Sequence, residues 1–194
     1  MTADQAKTAA ETLASLWEGE FPATCQVLAA VKDDNRDYKP DPKSRTAWQI
    51  ATHLATADLW FIDCILNAKF DFNPEAAKAA EAQFKTVSDI VDFYKRAWAH
   101  ADETINVNPL DAIATVPWWP EDRRQTTLHR LLVHVIAETN RHAGHADILR
   151  ELIDGAAGLR ADNSNLASTD PEYWDRHWER VEEAARRAAG MELT

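Results

Sequence analysis

The chain has 194 residues and a formal net charge of −11, from 21 basic and 32 acidic side chains. A phosphate backbone would be repelled and no Lys/Arg cluster offsets the sign, so nucleic acid is excluded as a partner. Only five glycines and two cysteines, Cys25 and Cys64, occur, which leans the chain towards helix and gives no disulfide framework. The start, MTADQAKTAAETLASLW, has no apolar h-region, and no run approaches 18 uncharged apolar residues. A cytoplasmic chain with no membrane partner is the expectation, folded as one domain over 1–194.

Residues 4–31 read as a first helix with Leu13, Leu16, Trp17, Val27, Leu28 and Val31 among its apolar positions. Pro22 should kink or split it after Phe21. The polar connection DDNRDYKPDPKSR excludes helix, and Ser44 is the expected N-cap of a second helix ending near Asn67. Thr86-Val-Ser-Asp89 has capping-box spacing and opens a third helix to about Ile105. Residues 106–125, with three prolines and the pair Trp118-Trp119, read as a long, partly buried loop. A fourth helix runs from about Thr126 to Asp154, stopped by Gly155. Asp170-Pro171 opens a last helix ending near Gly190. Four long helices plus a C-terminal one predict an all-α bundle.

Chemistry concentrates in the fourth helix, LHRLLVHVIAETNRHAGHADILRELIDG. At about 100° per residue, His134, Glu138, His142 and His145 share an arc of roughly 80° with apolar neighbours, so the arc is expected to face inward. An unpaired buried imidazole or carboxylate is costly, so four such groups on one stripe call for a partner. Glu138 and His142, one turn apart, can reach the same ion. The third ligand must come from another helix. His53 is the best candidate, sharing a face with Ala57, Trp60 and Cys64. His100, His129 and His177 sit in polar or charged settings and are poorer choices. Spacing alone leaves the alternative of packed core histidines and a Glu–His pair that merely stabilises its helix.

Two segments resemble a known family. DYKPDPKSRTAWQIATHLA is similar to the stretch of DinB-like proteins that leads into their second helix and its metal-binding histidine. RLLVHVIAETNRHAGHADILRELIDG is similar to the last core helix of that superfamily, above all in its thiol S-transferase branch. The resemblance implies a DinB-like four-helix bundle of up-down-down-up type with an extra C-terminal helix. It also implies a divalent metal on His53, Glu138 and His142. Many relatives have histidine where this chain has Glu138, and the His/Glu/His set is that of mycothiol-dependent maleylpyruvate isomerases. Those enzymes carry a further C-terminal domain that is not expected here, so their reaction is not carried over.

Zinc is the expected ion for two imidazoles and one carboxylate, with nickel, cobalt and iron also suited. The resemblance points to mycothiol, bacillithiol or glutathione, bound as thiolate and attacking a small electrophile, and to a homodimer. His134 and His145 are candidates for orienting the ligands or handling protons; Trp60, Trp118 and Trp119 are candidates for the pocket wall. Two other functions fit the same residues: a non-catalytic metal- or thiol-binding stress-response protein, and a hydrolase using a metal-bound water.

Overall fold

A computed structural model of the chain describes residues 3–66, 79, 82–158, 164 and 166–190, without the side chains of 3–6, 58–60 and 62–66. Among the described residues there are five α-helices and one short hairpin: α1 (Ala3–Ala30), α2 (Ala47–Leu66), α3 (Val87–Val107), β1 (Ile113–Thr115), β2 (Gln125–Thr127), α4 (Leu128–Asp154) and α5 (Pro171–Ala188). None of these helices is long and apolar enough to cross a membrane.

The helix ends follow the local chemistry of the sequence. Thr86 and Asp89 form both reciprocal bonds of the expected capping box. Gly155 ends α4 at φ 74°, a left-handed conformation that costs glycine little. Asp170 caps α5, with Pro171 at its first position. At α2 the cap lies two residues later than expected. Ser44 closes a turn onto the Asp41 carbonyl. The reciprocal pair is instead Thr46 with Gln49, where Gln49 N–H donates to Thr46 Oγ1 and Thr46 N–H to Gln49 Oε1.

Pro22 does not split α1, which runs unbroken through it. Proline removes the hydrogen bond to the carbonyl of Glu18, but both residues lie on the exposed side of the helix. The freed carbonyl thus lies on the side open to solvent, and the buried face, with Leu13, Trp17, Val27, Leu28 and Val31, continues undisturbed. Leu16 faces outward.

Contacts fix the helix directions. Phe21 lies against Tyr94 and Trp98, and Trp17 Nε1 donates to Asp102, so rising residue numbers on α1 meet falling numbers on α3. His53 meets His142 and Phe61 meets His134, so α2 and α4 are also antiparallel. Lys32, just past the end of α1, pairs with Asp154 at the end of α4, so those two are parallel. The result is an up-down-down-up bundle in which α1 and α2 each pack on α3 and α4. Its core centres on Leu28, Leu54, Ile90, Tyr94, Leu128, Leu131 and Val135, all essentially buried.

The segment expected to be a plain loop contains the hairpin. Ala114 pairs with Thr126 and both are buried, while the register continues through Val116 N–H to the Arg124 carbonyl and Leu128 N–H to the Ala112 carbonyl. Three-residue strands give too short an alternation to stand out from a proline-rich stretch. The connection between the strands carries Trp118 and Trp119.

Candidate metal centre

Two helices that run in opposite directions bring the central residues together. His53 lies in the first half of α2 and His142 just past the middle of α4, and their Nε2 atoms are 3.3 Å apart. The rings meet edge to face at 4.6 Å. One turn back on α4, Glu138 Oε2 stands 3.5 Å from the same His142 Nε2. His142 is the better enclosed of the α4 pair, with its side chain 17% exposed against 32% for Glu138. Its Nδ1 is buried with no hydrogen-bond partner among the described residues, so the ring is addressed through its Nε2 edge alone.

Donors about 2.0–2.2 Å from a tetrahedral zinc ion lie roughly 3.3–3.5 Å from one another. The His53–His142 and His142–Glu138 distances match two edges of such a figure. The third edge is open: among the described residues, no ion pair joins His53 to Glu138, and no group of three or more His, Cys, Asp and Glu side chains stands ready to hold a metal ion. Glu138 Oε1 faces Arg141 Nη1 at 3.6 Å on the solvent side, so closing the third edge asks for a turn of that carboxylate. Two neutral imidazoles and a carboxylate are the donor chemistry a divalent ion of zinc type takes.

Burial sets the protonation of these groups. It is the largest cause that lowers His53 to about 4, followed by the nearby His142 and Arg45 charges, with Glu138 opposing. His142 is lowered as well, first by burial, and Arg45 contributes there too. His134 is lowered chiefly by burial. The sign for stability follows. An unfolded histidine titrates near 6.5, so between about pH 6.5 and 4 the unfolded chain binds more protons at position 53, and stability falls as pH falls through that window. Thermal melts of the metal-free protein from pH 7 to 4.5 should show that decline, and His53→Gln should decline less steeply. Equal slopes for the two proteins would show that His53 is not held neutral by the fold.

A cavity of about 450 Å³ opens beside the three side chains. His53, Glu138 and His142 line it together with Ala57, Phe61, Trp118, Trp119 and His134. Phe61 meets Trp118 at 5.2 Å and His134 at 4.8 Å, and Trp119 meets His134 at 5.0 Å, mostly edge to face. The structure thus brings His134, Trp118 and Trp119 to one cavity. His145 differs: its side chain is exposed, 5.8 Å ring to ring from His142, because the last residue of the arc turns past the α2 contact towards solvent. The Trp60 side chain lies outside the described residues. Phe61 takes a wall position that the sequence reading missed, although His53, Ala57 and Phe61 at i, i+4 and i+8 carried the signal. Arg45, just before α2, was missed too, and no helical spacing marks it.

A family model described as mycothiol-S-transferase matches residues 12–155. Among solved structures, a DinB-like protein from Bacillus subtilis superposes with a TM-score of 0.55 at 18% sequence identity, covering 77% of this chain and 96% of that one; the likeness shows the fold. No match is found among curated proteins.

Proposed function

The chain belongs to the mycothiol-S-transferase family, and from that premise we propose that it transfers a low-molecular-weight thiol to an electrophile at a divalent metal held by His53, Glu138 and His142. The observation that carries this reading is the meeting of the two imidazoles from separate helices, 3.3 Å apart, with a carboxylate one turn away and a small-molecule cavity beside them. The family name favours mycothiol over bacillithiol or glutathione.

A bound divalent cation supplies Lewis acidity that favours thiolate strongly over thiol. The chain's own residues do the rest. Burial keeps His53 and His142 unprotonated at neutral pH, so their lone pairs are available as donors. Glu138 would cancel one of the two charges of a bound cation and leave the centre net positive, which would favour an anionic sulfur. With three protein donors, such a site would keep a position for an exchangeable ligand. His134, whose protonation burial disfavours, lines the same cavity and would take up the proton the thiol releases. Phe61, Trp118 and Trp119 would give the bound thiol an apolar wall and limit competing water. The sulfur forms a bond to the electrophilic carbon, and the leaving group departs with the electron pair of the bond that breaks.

The test is conjugation of a model electrophile with each of the three thiols, before and after the metal is stripped by a chelator. Turnover with thiol and metal, and loss of thiol affinity without metal, are expected. Thiol affinity unchanged in the metal-free protein overturns the mechanism. Thiol binding without conjugation would leave a binding protein, and turnover without any thiol would make it a hydrolase.

A further inference from the structure

His142 lines a second cavity, of about 370 Å³, whose chemistry differs from the first. Its walls are aliphatic: Ile50 and Leu149 are nearly buried, and Ile148 beside them is 55% exposed. The charge in it belongs to Arg45, an exposed residue with no hydrogen bond or ion pair among the described residues, in a chain whose acidic side chains outnumber its basic ones 32 to 21. His145 lines the same cavity. Arg45 is near enough for its charge to act on both His53 and His142. A free guanidinium, a half-exposed isoleucine and an edge of the candidate metal centre thus share one space.

We propose that this cavity binds the carboxylate end of an aliphatic electrophile. Its carbon chain lies along Ile50, Ile148 and Leu149, its carboxylate rests on Arg45 with His145 alongside, and its reactive carbon points to His142. A planar guanidinium matches a carboxylate with two parallel hydrogen bonds, which gives direction as well as attraction. The aliphatic wall supplies the apolar contact that an isolated surface arginine lacks. This names the substrate class of the thiol transfer proposed above and rests on that reading.

The full-length protein, loaded with metal, is titrated with hexanoate and with methyl hexanoate. Hexanoate should bind more tightly than the ester, Arg45→Gln should weaken hexanoate at least tenfold, and Arg45→Lys should keep part of the preference. Equal affinity for acid and ester overturns the proposal. So does hexanoate affinity that survives in Arg45→Gln, since the carboxylate would then be held elsewhere, for instance by the metal. In a second measurement, 6-bromohexanoate and its methyl ester are conjugated to mycothiol, a reaction in which the C–S bond forms and bromide leaves with the C–Br electron pair. The acid-to-ester ratio of kcat/KM should fall at least tenfold in Arg45→Gln, and an unchanged ratio overturns the proposal. If the wild type conjugates neither bromide, the transfer reading fails, while the hexanoate titration still decides the subsite.

Discussion

His142→Ala is expected to abolish metal retention and thiol conjugation together, with a larger effect than any other single replacement at the site. His142 is the shared vertex: its Nε2 lies 3.3 Å from His53 and 3.5 Å from Glu138, and it lines both cavities. Changing a residue that only orients a metal ligand typically lowers affinity about 10–100-fold, so loss of the ligand itself should exceed roughly 100-fold. Metal content after dialysis against a weak chelator reads this directly. Glu138→Gln keeps the shape of the side chain and removes its charge, so it should weaken retention less. The fold should survive both, because the half-buried site lies off the tightest part of the core. A His142→Ala protein that retains metal at wild-type stoichiometry would place the ion somewhere else.

The largest expected loss of stability lies elsewhere, at Trp98→Ala. Trp98 stacks on Trp17 with ring centroids 3.8 Å apart and 11° between planes, and it also touches Phe21 and Tyr94. Both indoles are almost fully buried, at 3% for Trp17 and 7% for Trp98. Removing a buried aromatic takes away its transfer free energy and leaves a cavity that neighbours on two helices cannot fill, about 3–5 kcal/mol in all. Against a typical total of about 5–15 kcal/mol, this should lower the melting temperature by roughly 6–20 °C in a chain of this size. Calorimetry of the metal-free protein separates the loss from any effect at the site. A shift under 2 °C would mean the α1–α3 seam does not depend on this stack.

Legibility in the sequence followed the range over which each signal acts. Capping at Thr86 and Asp170 and the stop at Gly155 involve neighbours within a few residues, and the structure shows all three. Pro22 was misleading because its local rule is silent about which side of the helix it occupies; on the exposed side the lost bond leaves no buried carbonyl behind. The hairpin at 113–127 was hidden because its pairing rests on buried Ala114 and Thr126 rather than on a run of strand formers. On α4, the arc through His134, Glu138 and His142 was readable from helical angle alone. Where it stops was not, since the exposure of His145 depends on how far α2 covers α4. The meeting of His53 with His142 depends on two helices crossing, 89 residues apart in sequence. Periodicity cannot see that, and resemblance to DinB-like proteins supplied it.

The parallel seam between α1 and α4 bears on how the chain reaches this arrangement. Lys32 and Asp154, which meet across it, are separated by 154 − 32 = 122 residues, so the first core helix finds its partner only after most of the chain has been made. Helical proteins usually fold fast because their contacts are local, and distant pairings pay a loop-closure cost before they gain anything. Here α2 packs on both α3 and α4, and α1 bridges the same two helices from the other side. Seam contacts such as Val27 and Val31 against Ala146 and Leu149 carry this long sequence separation, so Val31→Ala is expected to speed unfolding more than it slows refolding, which stopped-flow kinetics would read.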